Sequence, residues 1–330
     1  MRAVVPILVA CLVAGCGAAS SRAPSPEAKG RGLLVFGGVP DPSARHPPIA
    51  HYALRPDGTG LRKLAFSPND GDLNFSSDGR FAVMWVPTGH GVEATGSELV
   101  VANADGSERK VVPLPPGSTA GSPSLSPDGK RVAMAYLRGP NAQSFQLWTV
   151  SVDGQNLERV AGGDVVSVAW SPDGSRIAYV DDSGLTSSSE GAVGDIYVVH
   201  PDGSDVHKVA QSFSGLGQEV VWAPDGKRIA FEDKEQRLSI VDADGGDAKA
   251  LAPDGEAPAW SPDGKRLAFL RVHTCGSYGL SCLRAQIFVV DVDGGAISAV
   301  GSKFGGAVSL AWTTASVLPR PTRTATKPSS

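Results

Sequence analysis

The chain has 330 residues, 41% of them hydrophobic and 19% charged, with a formal net charge of −4. That length suffices for one large all-β domain whose core needs no metal to hold it. The near-balanced charge gives no basic stripe of the kind that holds nucleic acid, and 40 glycines with 25 prolines spread along the chain predict many tight turns.

Residues 1–15 read as a signal peptide. Arg2 gives a positive start and residues 3–14 are apolar, a run shorter than the about 20 residues of a membrane-spanning helix. Val13-Ala14-Gly15-Cys16 resembles a bacterial lipobox, which implies that Cys16 is lipidated and becomes the mature N-terminus. The alternative is an ordinary secretory signal in which Cys16 is incidental. Each buried methylene adds about 0.8 kcal/mol, so two or more acyl chains anchor a protein stably. Residues 16–31 lack apolar periodicity and are expected to form a flexible tether with an end-to-end distance of roughly 20 Å.

From Leu33 a strand pattern takes over. Leu33-Leu34-Val35-Phe36 predicts a first strand, and a ten-residue phrase then recurs. Its copies are Phe75-Ser-Ser-Asp-Gly-Arg-Phe-Ala-Val-Met84, Leu125-Ser-Pro-Asp-Gly-Lys-Arg-Val-Ala-Met134, Trp170-Ser-Pro-Asp-Gly-Ser-Arg-Ile-Ala-Tyr179, Trp222-Ala-Pro-Asp-Gly-Lys-Arg-Ile-Ala-Phe231 and Trp260-Ser-Pro-Asp-Gly-Lys-Arg-Leu-Ala-Phe269. Repeats at roughly 40 to 50 residues mean an array, because one unit cannot bury its own apolar face. Within the phrase, Pro presets φ at the second turn position and Gly supplies the positive φ. A second turn signal follows each alternating strand: Asp57-Gly58, Asp105-Gly106, Asp153-Gly154, Asp202-Gly203, Asp244-Gly245 and Asp293-Gly294. These markers give four strands per unit, here lettered a to d.

Counting the two turn types sets the closure. Six Asp-Gly turns imply six c–d hairpins, whereas five a–b turns are visible, because the chain enters at strand b. The missing strand a is supplied by residues 308–312, with Trp312 in the position of Trp260. The expected fold is therefore an all-β, six-bladed β-propeller of four-stranded antiparallel blades over residues 32–312, closed by the C-terminal strand completing the first blade.

The Trp-Ser-Pro-Asp-Gly-Lys-x-Ile-Ala-Phe phrase resembles the WD40-like repeat of the TolB propeller family, over residues 32–312. The resemblance implies the propeller fold more strongly than a function, since related propellers include prolyl-oligopeptidase-type enzymes and carbohydrate lyases. A separate domain before the propeller, which TolB itself carries, has no room in this plan.

The b–c and d–a connections share one face of the disc and include the longer segments 37–48, 87–96, 138–144, 181–194 and 271–284. Long, variable loops on a rigid scaffold are the usual place for recognition. Arg138, Asp181, Asp182, Arg271, His273, Tyr278 and Arg284 are the candidate partner-binding residues there. Cys275 and Cys282 form an even pair once Cys16 carries lipid and Cys11 is removed, and in an oxidising compartment a disulfide is expected. Closing so small a loop constrains the unfolded chain by about 2–3 kcal/mol. A zinc site is the alternative, with only His273 nearby as a further ligand.

No Gly-x-Ser-x-Gly or His-Glu-x-x-His phrase occurs. The repeated Asp78, Asp128, Asp173, Asp225 and Asp263 are expected to bond their own turn backbones, and Trp170, Trp222, Trp260 and Trp312 to pack between sheets. Residues 313–330 carry Arg320, Arg323 and Lys327 without an acid and read as a disordered tail. The expectation is a membrane-anchored, extracytoplasmic lipoprotein, monomeric and without cofactor. Its propeller would be a non-catalytic scaffold for an envelope protein or peptide. The alternative is a metal-assisted polysaccharide lyase or hydrolase using His46, His90 and His273.

Overall fold

The computed structural model describes residues 32–39, 50–67, 70, 73–76, 79–88, 96–139, 143–183, 192–214, 220–274 and 283–313. Cys16, Cys275, Tyr278 and Cys282 lie outside these, and with them the expected lipid attachment and disulfide; His46 and His90 do too. Of His273 and Arg284 only the strand positions are described.

Among the described residues there are 23 strands and no helix. The chain enters through β1 (Leu33–Val39), β2 (Ala50–Leu54) and β3 (Arg62–Lys63). Four complete blades follow, from β4 (Asn74–Phe75) to β7 (Lys110–Val112), β8 (Thr119–Leu125) to β11 (Glu158–Ala161), β12 (Val165–Trp170) to β15 (His207–Ser214), and β16 (Val220–Trp222) to β19 (Lys249–Pro253). The sixth runs from β20 (Glu256–Trp260) through β21 (Arg266–Thr274) and β22 (Leu283–Asp291) to β23 (Ser298–Thr313). Every neighbouring pair is antiparallel, as the two hairpin signals per repeat require.

The closure is made by one continuous strand instead of two. The first half of β23 pairs with β22, matching Val289 with Ser298 and Arg284 with Gly305. Its second half pairs with β1, matching Gly37 with Ser309 and Leu33 with Thr313. Blades six and one therefore merge into a seven-stranded sheet of order β20-β21-β22-β23-β1-β2-β3. Trp312 stands where the count of turns placed it.

The core lies between blades. Ala178, Ile196 and Val198 of the fourth blade pack with Trp222, Ile229 and Phe231 of the fifth, and Leu34, Phe36 and Trp312 pack with Leu270, Ile287 and Phe304 across the seam. Each sheet thus buries a face against its neighbour, as repeats that cannot fold singly must. The c–d turns sit close over the preceding blade. A Cβ at Gly203, whose φ is +83°, would lie 2.8 Å from the Val160 carbonyl oxygen, and one at Gly58 2.7 Å from the Gly301 nitrogen. Glycine serves twice there, for the turn and for the contact.

One expectation is corrected. Arg271, His273 and Arg284 are strand residues, with Arg271 opposite Gln286 and His273 opposite Arg284. The β21–β22 ladder continues because the alternation does: Val272 packs against the core at the seam and Ala285 is buried.

Candidate functional site

The a–b turns are built alike. In the third blade the Ser126 hydroxyl donates to Asp128 Oδ1 (2.6 Å) and accepts from the Arg131 amide (2.9 Å), while the Lys130 amide donates to the same Asp128 oxygen (3.1 Å). Ser171 with Asp173 and Ser261 with Asp263 repeat this. The expectation that these aspartates bond their own turns therefore holds for Asp128, Asp173, Asp225 and Asp263; Asp78 lies outside the described residues. The Ser126 bond is the main reason the Asp128 carboxyl stays below the usual range. At Asp173 and Asp263 partial burial pushes upward but is outweighed by the serine and backbone bonds.

The arginine at the seventh position of four of the five phrases reaches the next blade. Arg131 lies 5.4 Å from the Trp170 ring centroid, Arg176 5.1 Å from Trp222, Arg228 4.8 Å from Trp260 and Arg266 5.2 Å from Trp312. The indole N–H groups of Trp222 and Trp260 donate to the carbonyls of Ala169 and Val221, each on the preceding blade (3.0 and 3.2 Å). The second blade carries Phe81 at the arginine position, and it packs with Leu125, which replaces tryptophan in the third.

These turns surround a cavity of about 230 Å³ at the turn-face mouth of the central channel. Its wall is the last residues of the inner strands, with Phe75, Trp222, Trp260 and Trp312, and its rim is Pro172, Pro224 and Pro262 from the a–b turns. Asn74, Ser76 and Thr313 add polar atoms, and among the described lining residues no side chain is charged. The rim outside it is of mixed sign, with Asp128, Asp225 and Asp263 beside Lys130, Lys227 and Lys265, all exposed.

The opposite face carries the residues singled out from the sequence. Asp181 Oδ1 accepts from the amides of Asp164 and Ser183 (both 2.9 Å), so that carboxylate fastens a corner of its own blade. The Asp182 amide donates to the Asp164 carbonyl (2.9 Å). Arg271 lies 4.6 Å from the Phe288 ring centroid and donates to the Pro253 carbonyl (3.3 Å). Arg138 is exposed, 5.5 Å from the Trp148 ring centroid. These side chains are spread over the third, fourth and sixth blades and are not brought together.

Two features went unread in the sequence. The cavity needs inner strands of several blades to converge, which no local phrase announces. Glu232, at the end of β17 (Arg228–Glu232), is half-buried, and burial together with Glu256, Asp233 and Asp254 pushes its carboxyl up to about 8. Among the described residues no group of three or more His, Cys, Asp or Glu is placed to hold a metal. The convergence of His46, His90 and His273 falls on side chains outside those residues.

The family model described as the TolB beta propeller domain matches residues 73–274. The Tol-Pal system protein TolB of Anaeromyxobacter dehalogenans is 30% identical over 162 residues, 47% of this chain and 34% of that protein. The TolB of Alcanivorax borkumensis is 32% identical over 93 residues, 28% of this chain and 20% of that protein. An uncharacterized protein of Agrobacterium fabrum is 28% identical over 116 residues, 33% of this chain and 38% of that protein. The matches thus span 20% to 38% of these curated relatives' lengths. The crystal structure of TolB from Acinetobacter baumannii superposes with a TM-score of 0.63 at 18% identity, over 86% of this chain and 66% of that one, a likeness of fold.

Proposed function

Because the chain belongs to the TolB β-propeller family, we propose that it is a non-catalytic scaffold of the bacterial cell envelope that binds a segment of a partner protein at the turn-face mouth of its channel. The observation that carries this reading is the aromatic wall of Trp222, Trp260, Trp312 and Phe75 inside a proline rim. Aromatic anchors in a concave, largely apolar site are typical of protein recognition. Aromatic-lined grooves in particular take extended, proline-containing segments. At about 230 Å³ the cavity is smaller than the roughly 300–1,000 Å³ of most small-molecule sites. It suits a few side chains of a larger partner better than a cofactor.

The address in this proposal comes from the N-terminus, with Cys16 lipidated and residues 17–31 as the tether. Gly32 lies against Thr313, so close that a Cβ there would be 2.5 Å from the Thr313 carbonyl oxygen. In this reading a tether ending at Gly32 would meet the disc on its turn face, beside the cavity. Cys275 and Cys282 would stiffen a loop on the opposite face as a disulfide.

The test is cross-linking in the source envelope with Pro172→Glu, Pro224→Glu and Pro262→Glu variants, whose turns accept most residues at that position. Unchanged thermal melts establish that the variants are folded. The expected result is loss of the partner adducts formed by the native chain. Intact adducts in these variants, together with loss on charge reversal at Arg138, Arg271 and Arg284, would move the site to the loop face. Mass spectrometry of the mature native and Cys16→Ser chains checks the anchor.

A further inference from the structure

We infer that Asp293-Gly294 is a site of spontaneous covalent modification, at which the chain isomerises from an aspartyl to an isoaspartyl linkage through a cyclic imide. The inference stands apart from the reading of the mouth. Asp-Gly is the dipeptide in which this chemistry meets least resistance, because glycine has no side chain to shield its nitrogen. Six such dipeptides form the c–d turns, and the dipeptide alone does not distinguish them. In all six the glycine amide donates to the carbonyl three residues back, at 2.8–3.0 Å. They differ in how the carboxylate is held and in the space around the glycine.

Asp57, Asp105, Asp153 and Asp202 each accept from the amide two residues on, at 2.9–3.0 Å. The hydroxyls of Thr59, Ser107 and Ser204 add bonds of 2.6 Å to three of them. Turning such a carboxyl onto its glycine nitrogen breaks those bonds. The serine hydroxyls also hold the Asp105 and Asp202 carboxyls below the usual range, which depletes the protonated form that loses water. Asp244 pairs with Arg176 (2.8 Å). Asp293 is exposed, and among the described residues no hydrogen bond or ion pair holds its carboxylate.

The second ground is space. A Cβ at Gly58, Gly154 or Gly203 would come within 2.7–2.8 Å of a backbone atom of the preceding blade, whereas one at Gly294 would meet nothing within 4 Å. The sixth turn thus stands clear of its neighbour, with room for a five-membered ring. The Gly294 nitrogen attacks Asp293 Cγ; the N–Cγ bond forms, the Cγ–OH bond breaks, and the hydroxyl leaves as water with the amide proton. Water then adds to the Asp293 main-chain carbonyl carbon and breaks its bond to nitrogen. Addition at Cγ instead restores the aspartate. In the isoaspartyl product the main chain runs through Cβ and Cγ, one atom longer at unchanged mass. That atom enters the hairpin from β22 to β23, where Val289 pairs with Ser298. Hairpin register depends on the turn, so the change loosens the strand that closes the ring.

The experiment ages the folded full chain at neutral pH and maps its peptides by electron-transfer fragmentation, which separates the two linkages. The expected result is isoaspartate accumulating at position 293 about tenfold faster than at 57, 105, 153 or 202, the factor for one turn bond broken. In denaturant the six turns are expected to age alike. Ser204→Gly should raise the rate at Asp202, and Asp293→Ser should remove the main product. The aged native chain should melt below the fresh chain, while aged Asp293→Ser keeps its melt. Equal rates at the six turns of the folded chain overturn the proposal, as does a ranking that persists in denaturant. Unchanged melting of a chain shown to carry isoaspartate at 293 overturns the effect on the seam.

Discussion

Glu232 illustrates how a single side chain couples the disc to pH. Its carboxyl is pushed from an ordinary 4.5 up to about 8 by burial and by the neighbouring Glu256, Asp233 and Asp254. A raised folded value means that the native state holds its proton longer than the unfolded chain does. Its contribution to stability is complete below about pH 4.5 and is lost as pH rises to about 8. Glu232→Gln, which keeps the neutral form's shape, is expected to melt higher than the native chain at pH 8–9 and no higher at pH 4. Equal melting differences at both pH values would contradict this. The turn aspartates have the opposite sign. Asp105, held low chiefly by the Ser107 hydroxyl, and Asp128, held low by Ser126, stabilise above the usual carboxylate range and cease to as acid protonates them. Asp233 beside it is visible in the sequence, but burial and the approach of Glu256 and Asp254, from the next blade and the connection to it, are not. The turn aspartates were legible because their partners lie two residues away.

At the scale of the blade, the repeat phrase proves to be an intermolecular-style contact written within one chain. Arg176 packs on Trp222 of the next blade, donates to the Gly226 carbonyl (2.9 Å) and pairs with Asp244 (2.8 Å), all on that neighbour. The Asp244 pair is exposed and contributes little. Stacking on a partly desolvated indole and the carbonyl bond contribute more. Arg176→Ala should therefore lower stability by about 1–2 kcal/mol, with Arg176→Lys intermediate. Chemical denaturation of the three chains measures it, and an alanine variant as stable as native would show the stack to be passive. The strands, their lettering and the burial of the tryptophans could be read from spacing alone, because each depends on residues within one repeat. The arginine's role could not, because its target lies in the following repeat. For the same reason Arg271, His273 and Arg284 were expected in a loop: hairpin length is set by cross-strand pairing such as Arg271 with Gln286.

For the whole molecule the ring depends on its seam. Removing residues 308–330 would unpair β1 along one edge and delete the buried Leu310 and Trp312. Large-to-small changes at two such sites suggest a loss of about 5 kcal/mol or more, or roughly 10–20 °C in Tm for a domain of this size. The bared edge should also associate with other copies. Thermal melts with light scattering test both, and a monomer melting like the native chain would argue against the seam. This closure was visible in the sequence because Trp312 repeats a known position; the cavity was not, since several inner strands make it only after the ring has shut. The seam also has a consequence for biogenesis. β1 emerges from the ribosome early, while its partner at residues 309–313 comes at the far end of the described chain. At about 5–20 residues per second, the first strand waits roughly 15–55 s for its mate. A nascent chain can stack its middle blades during that interval but cannot lock them. The first blade therefore stays open-edged until the last segment arrives, and a chain cut short before residue 309 would leave β1 without its closing partner.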